Sequence, residues 1–300
     1  MYSSYRVFQD IDEQSDVLTQ LNQSYKQIES GQYRGTLWSM YSDQHIAVHI
    51  ESANSSMLQA GMTPADQICL GIMQRQSQSC LMNGLLLSQE IGIILPPNTY
   101  FDTRFNDSTQ FMLMCFPAHL ILDSHTSLPS SIKPIHLDLL PDLSRKQLIS
   151  ALPFHLLDAL TDPLIFDEIR TCIIDQFNEL PVLRKNSKND YKLYCKFHDW
   201  IMAHIQDKIL IESASHDLGI SRRHLEICFK AITGMSPQKY IYMFKLNAIH
   251  RILKQRSDKN ITELAHEWHV PHLGRFSQDY KRLFGESPST TIRRLHTYSP

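Results

Sequence analysis

Two stretches decide how this chain is read: GISRRHLEICFKAITGMSP, residues 219–237, and HVPHLGRFSQDYKRLFGESP, residues 269–288. They are copies of one unit. Leu225, Phe229, Lys230, Gly234, Ser236 and Pro237 recur 51 residues later as Phe276, Tyr280, Lys281, Gly285, Ser287 and Pro288. Upstream, Ala214-Ser215 and Ile220 recur 50 residues later as Leu264-Ala265 and Val270, so one turn carries an extra residue. Each copy reads as a short helix, a tight turn and a longer amphipathic helix. Gly closes the second helix in a left-handed conformation, and Ser-Pro opens the next. Such a helix-turn-helix can lay its second helix in a DNA major groove.

Outward from this unit, composition sets bounds. The 300 residues suit two domains, and 42% hydrophobic content suffices for a core. No apolar run reaches the roughly 18 residues of a membrane span. The opening MYSSYRVFQDIDEQ lacks the basic and apolar blocks of a signal peptide. Cysteines at 69, 80, 115, 172, 195 and 228 show no C-x-x-C spacing, which argues for buried thiols in a reducing cytoplasm and against a disulfide scaffold or zinc site. The net charge of −2 conceals an asymmetry: residues 190–300 hold 17 Lys/Arg against 11 Asp/Glu, whereas residues 1–189 hold 12 against 20. The basic third contains the repeat, as a polyanion partner requires.

The N-terminal part alternates as strands do. Expected strands are Tyr33–Met40, His45–Glu51, Gln67–Met73, Cys80–Leu87, Ile91–Leu95 and Gln110–Phe116, with a hairpin turn at Asn83-Gly84 and a stop at Pro96-Pro97-Asn98. A short helix is expected near Asp16–Leu21. Six or more short strands predict a small sandwich or barrel over residues 32–120. Helical spacing follows over 141–181: Leu148, Leu152, Leu156 and Leu160 fall four apart, as a dimer seam or as helices packed on the β-domain. Residues 182–190 read as a linker. Helices are then expected at Lys192–Gln206, Ile211–Leu218, Ser221–Ile232, Pro237–Gln255, Ile261–His266, His272–Phe284 and Pro288–Arg294. The fourth would span about 28 Å and hold two recognition helices roughly one 34 Å groove repeat apart.

Residues 192–296 resemble the DNA-binding domain of the AraC/XylS family of bacterial transcription regulators. SRRHLEICFKAITGMSPQKYI and ITELAHEWHVPHLGRFSQDYKRLFGESPSTTIRRL carry the resemblance. HLGRFSQDYKRLFGESPSTTI is similar to the form found in ethanolamine-utilisation regulators. The resemblance implies an α+β chain: a cupin-like, effector-sensing and dimerising β-domain with a helical segment over 1–181, then an all-α domain with two helix-turn-helix units over 191–296. It implies base reading by Arg222, Arg223, Glu226 and Ile227 and by His272, Leu273, Gly274, Arg275, Ser277 and Gln278. Phosphate contacts would come from Lys230, Lys281, Arg282 and Arg293. Leu225, Phe229, Ile232, Phe276, Tyr280, Leu283 and Phe284 would face the core. The implied partners are promoter DNA, RNA polymerase, a small-molecule effector and a second copy of the chain. The implied role is an activator with no cofactor. Departures from the family pattern are Ala214-Ser215, Lys245, Ile249, and His269 in place of a turn glycine.

HEWH lacks the H-E-x-x-H spacing, so His266, His269 and His272 read as exposed helix-end residues. Cys195 and His198 read as a core thiol beside a surface imidazole. His45 and His49, on one face of a strand, suggest a cupin-type metal enzyme as the alternative, but no matching third or fourth ligand is evident. Tyr33, Trp38 and His45 are the expected effector-pocket residues. No nucleophile elbow or phosphate loop occurs, so no catalytic residue is expected. A nucleic-acid binder without sequence preference is the remaining alternative.

Overall fold

The computed structural model describes residues 2–75, 80–88, 90–105, 109–123, 126, 128–129, 131–141, 153–178, 185–255, 260–270 and 272–297. Contacts divide the chain into two units, Met1–Tyr25 with Tyr33–Val182, and Lys26–Gln32 with Leu183–Pro300. The first is rich in β-structure and the second helical.

The first unit opens with β1 (Tyr2–Phe8) and α1 (Ile11–Ser15), the latter capped by Asp10, whose carboxylate accepts from Asp12 N. Strands β2 (Ser24–Gln27), β3 (Gly35–Tyr41), β4 (Ala47–Ala53), β5 (Met57–Met62), β6 (Gln67–Arg75), β7 (Cys80–Met82), β8 (Leu85–Leu87), β9 (Ile91–Leu95), β10 (Tyr100–Phe105), β11 (Thr109–Pro117) and β12 (Lys133–His136) follow. Helix α2 (Ala118–Ile121) precedes β12, and α3 (Pro153–Thr161) and α4 (Pro163–Asn178) follow it. One sheet runs β1-β3-β4-β11-β6-β9-β12 and the other β2-β5-β10-β7-β8.

Alternation explains the layering. On β6, Ile68, Leu70 and Ile72 face one way; on β11, Met112, Met114 and Phe116 join them. This face packs with Leu156, Leu160, Ile169, Ile173 and Phe177 of α3 and α4. The opposite face offers Cys69, Met73, Phe111, Leu113 and Cys115 to Met57, Met82, Phe101 and Phe105 of the smaller sheet. Leu156 and Leu160 are therefore core residues of their own unit; Leu148 and Leu152 lie outside the described residues.

Strand β9 coincides with its expected span. Within Cys80–Leu87 the hairpin turn expected at Asn83-Gly84 is present, at φ 47° and 77°, and splits the run into β7 and β8. His45 is not on a strand: it occupies the β3–β4 turn at φ 63°, so it shares no strand face with His49.

The second unit contains α5 (Lys185–Ala203), α6 (Ile211–Leu218), α7 (Arg222–Thr233), α8 (Pro237–Lys254), α9 (Ile261–Glu267), α10 (Leu273–Phe284) and α11 (Pro288–Thr297). Residues 26–32, expected with the β-domain, belong here for a hydrogen-bonding reason. Gln27 N–H donates to Asn247 Oδ1 (3.0 Å), Asn247 Nδ2 returns a bond to Gln27 O (2.9 Å), and Gln27 Nε2 reaches Leu283 O (2.8 Å). His198, read as a surface imidazole, is mostly buried among Tyr194, Tyr240 and Phe244, while Cys195 is half-buried. Among the described residues no helix is long and apolar enough to cross a membrane.

Candidate nucleic-acid interface

The repeated unit folds into two helix pairs, α6–α7 and α9–α10, whose turns are made alike. After α6, Gly219 adopts φ 64°, its N–H donates to His216 O (3.2 Å), and Ile220 N–H donates to Ser215 O (3.1 Å). After α9, His269 takes the glycine's place at φ 50°; its N–H donates to His266 O (3.0 Å) and Val270 N–H to Ala265 O (2.9 Å). The left-handed backbone expected of His269 is thus present. Its ring Nδ1 lies 2.9 Å from Gln206 O, which helps offset a strain of about 1–2 kcal/mol. The second turn is the longer, and His272 is also left-handed, at φ 56°.

The helices start and stop on local chemistry. Ser221 caps α7 and Ser236 caps α8, each accepting from a backbone N–H at 3.3 Å. Asn260 and Glu263 form a reciprocal capping box on α9. Gly234 (φ 70°) and Gly285 (φ 75°) end α7 and α10. Ala214, where a larger residue was expected, is fully buried, and Ser215 Oγ donates to Ile220 O at 2.5 Å. That departure braces the turn.

Leu225, Phe229, Phe276, Tyr280, Leu283 and Phe284 are buried, whereas Ile232 is only half-buried. Tyr194, Phe197 and Tyr240 pack around Phe229 with ring centroids 4.8–5.4 Å apart. In the second pair, His250 stacks on Phe284 at 4.1 Å and its Nδ1 lies 2.6 Å from Tyr280 Oη. Ile249 is fully buried beside Leu246 and Leu253. These cores leave one face of α7 and one face of α10 to solvent.

On α7, Arg222, Arg223, Ile227 and Lys230 are exposed and Glu226 is half-buried. Arg222 is held by two carboxylates: its Nε donates to Glu226 Oε1 (2.8 Å), and its guanidinium also pairs with Glu212. Both contacts hold its pKa up, the Glu226 hydrogen bond most. On α10, Leu273, Gly274, Arg275, Ser277, Gln278, Lys281 and Arg282 are exposed, as is the capping His272. A Cβ on Gly274 would meet nothing within 4 Å, so a surface can approach its backbone. Arg275 and Arg282 converge on the largely buried Asp279, Arg275 Nε at 3.5 Å from Oδ2 and Arg282 at 2.6 Å from Oδ1, and Tyr242 Oη donates to Oδ2 at 3.0 Å. Of the expected phosphate contacts, Lys230 and Lys281 project freely, Arg282 is tied to Asp279, and Arg293 is exposed with its Nε 3.4 Å from Ser289 O. The motifs did not mark the groove of about 1240 Å³ that α8 and α10 border; Lys208, Lys239, Lys245, Arg275 and Arg282 line it together with Asp279. Among the described residues, His266, Glu267, His269 and His272 do not bring three ligand atoms together.

The expected effector-pocket residues do not converge. Tyr33 is buried on the face toward the smaller sheet, with its hydroxyl on Gln14 Oε1 (2.9 Å). Trp38 packs on the other face of the larger sheet, edge-on to Tyr5. His45 is exposed in its turn. A small internal cavity is lined by Leu18, Leu21, His49, Glu51, Gln59 and Phe101, among others. Tyr25 Oη donates to Glu51 Oε1 at 2.5 Å, and His49 lies between Ser39 Oγ and Gln20 Nε2, both at 3.0 Å. Burial pushes the Glu51 carboxyl up to about 7 and the His49 imidazole down to about 4. Gln59 Oε1 is buried without a partner among the described residues. The alternation of His49 and Glu51 with Val48 and Ile50 was the available signal, and it marks only the face, not the cavity.

Residues 214–294 match a family model described as a helix-turn-helix domain. A probable thc operon regulatory protein of Rhodococcus erythropolis is 29% identical over 99 residues, covering 32% of this chain and 30% of that protein. A XylDLEGF operon transcriptional activator of Pseudomonas putida is 34% identical over 97 residues, again 32% of this chain and 30% of its own length. The chain thus spans about three tenths of these curated relatives. Among solved structures, a probable AraC family transcriptional regulator from Rhodopseudomonas palustris is 28% identical, covering 35% of this chain and 97% of that one, with a TM-score of 0.33.

Proposed function

We propose that the chain is a sequence-specific, DNA-binding transcription regulator of the AraC/XylS type, acting as an activator. The single observation that carries this reading is the duplicated helix pair. It presents two solvent-facing helices, α7 and α10, within a region that matches a helix-turn-helix domain model. We take both pairs as helix-turn-helix units. Arg223, Ile227, Ser277 and Gln278 then read bases: Arg pairs with guanine, Gln with adenine, and Ile packs on a thymine methyl. Arg222, Glu226, His272, Leu273, Gly274 and Arg275 complete the reading surface. Lys230, Lys281, Arg282 and Arg293 hold phosphates.

The β-rich unit is the cupin-like sensing half of this proposal. Its buried polar cluster around Glu51 is where an effector would enter, by opening the cavity of about 10 Å³ that Glu51, His49 and Gln59 line. Ligand binding would shift the population of states that engage DNA. Exposed Tyr2, Tyr5 and Val7 on the edge strand β1 support pairing with a second copy. RNA polymerase would be the partner of an activator, and the form of residues 272–292, similar to that of ethanolamine-utilisation regulators, supports that subgroup.

The test is footprinting of the full chain on DNA upstream of its own gene, followed by selection from random fragments. Protection over two successive major-groove turns on a selected sequence is expected. Binding with equal affinity to selected and random fragments at each salt concentration would replace this reading with the non-specific one.

A further inference from the structure

Three metal-ligating side chains of unlike type meet where α5 packs on α7. Asp190 is on α5; His224 and Cys228 are on α7, four residues and so about one turn apart on one face. A ligand atom from each lies within 4.8 Å of the others. Cys228 Sγ is 3.3 Å from Asp190 Oδ1. Tetrahedral zinc, bonded at about 2.3 Å to sulfur and about 2.0 Å to oxygen, sets those two atoms about 3.5 Å apart. Two ligands thus already stand at coordination spacing. Cys228 is buried and held in place, whereas His224 is exposed and can turn its ring inward.

We propose that Asp190, His224 and Cys228 bind one divalent transition-metal ion, zinc by preference, with water in the fourth position. One sulfur, one nitrogen and one oxygen donor form a borderline-soft set that suits zinc or cobalt and does not suit calcium or magnesium, which take oxygen ligands. Thiolate is the form that binds metal, so the Cys228 thiol proton would be released as the metal–sulfur bond forms.

The position on α7 assigns the ion a bracing role. At about 100° per residue, Arg222, Arg223, Glu226, Ile227 and Lys230 span an arc centred about 150° from the mean direction of His224 and Cys228. The ion would fasten the flank of the first exposed helix to α5 and leave that arc open. The proposal depends on the geometry of the helical unit and not on what the arc binds.

Cobalt(II) added to the reduced, metal-free full-length chain tests it. A thiolate-to-cobalt charge-transfer band should saturate at one equivalent and vanish when zinc is added. Cys228→Ser should abolish the band; Cys195→Ser, at the half-buried cysteine of α5, should leave it. His224→Gln alters an exposed side chain and spares the fold, as its unchanged circular dichroism would show. It should weaken cobalt binding beyond the roughly 10- to 100-fold that follows loss of an outer-shell partner. Zinc should raise the melting temperature of the wild type and not of His224→Gln. Absence of the band at excess cobalt, its survival in Cys228→Ser, or unchanged affinity in His224→Gln would overturn the proposal.

Discussion

Lys245 Nζ donates to the carbonyl oxygen of Trp268 at 2.7 Å, and to Asp207 O at the same distance. Trp268 begins the second turn and Asp207 lies in the segment before α6, so one ammonium ties the second turn to the segment that leads into the first helix pair. Burial pulls its pKa below the usual lysine value. Lys245→Met keeps most of the stem but strands two carbonyl groups. A loss of about 1–3 kcal/mol is expected, read as a lower urea midpoint by helical circular dichroism. An unchanged midpoint would show that water replaces the ammonium without cost.

Glu51 and His49 face the same interior from β4, and their titrations oppose. The Glu51 pKa is raised from 4.5 to about 7, so its contribution to stability is complete below about pH 4.5 and is lost as pH rises through 7. The His49 pKa is lowered from 6.5 to about 4, so the unfolded chain holds the extra proton and stability rises with pH over that interval. Between about pH 4.5 and 6.5 the two slopes largely cancel, and only the Glu51 decline remains above it. Glu51→Gln should therefore gain stability from pH 4 to 6.5. His49→Gln should lose it from pH 4.5 to 7. Each change amounts to roughly 3 kcal/mol. Urea midpoints across this range check both signs; parallel profiles for the two variants would contradict them.

Two cap glycines separate backbone strain from crowding. At Gly219 (φ 64°) an added Cβ meets nothing within 4 Å, so Gly219→Ala costs only the left-handed conformation, about 1–2 kcal/mol. At Gly285 (φ 75°) the same atom would lie 3.1 Å from Gln32 N and 3.2 Å from its Cα. Gly285→Ala should cost more than Gly219→Ala in thermal unfolding, because backbone must move as well. Equal losses would mean that the 26–32 segment yields freely.

Local rules made the helical unit legible. Ser221, Gly234, Ser236-Pro237 and Gly285 each mark a helix end through a bond to their own neighbours, and α6 spans its expected residues. Strand β9 was equally plain, being apolar and buried on both faces. Strands β1, β2, β5, β10 and β12 did not stand out. SYKQ and YFDTRF mix polar and aromatic residues, and the latter is a strand because Tyr100–Phe105 pairs with Met57–Met62. The exposed arcs of α7 and α10 follow from a 3.6-residue period. Their constraints do not: Glu212 on Arg222, Tyr242 on Asp279, and Asp190 on Cys228 each join two different helices, which a single helix's period cannot show.

Those constraints divide the residues proposed to read bases. Arg222 already satisfies Glu212 and Glu226, so using it on DNA means breaking or sharing both contacts; Arg223 has no hydrogen bond or ion pair among the described residues. Arg223→Ala should cost about 1–3 kcal/mol on a selected site and relax base choice there, as should Gln278→Ala on α10. Arg222→Ala should cost less, part of its loss being offset by contacts it no longer breaks. Lys281→Ala, at a single charge on the exposed arc, should weaken selected and random DNA alike and reduce the salt slope by about one. Binding titrations of the four variants on both DNAs at several salt concentrations distinguish these outcomes. A larger loss for Arg222→Ala than for Arg223→Ala would show that its carboxylate contacts position it for the base.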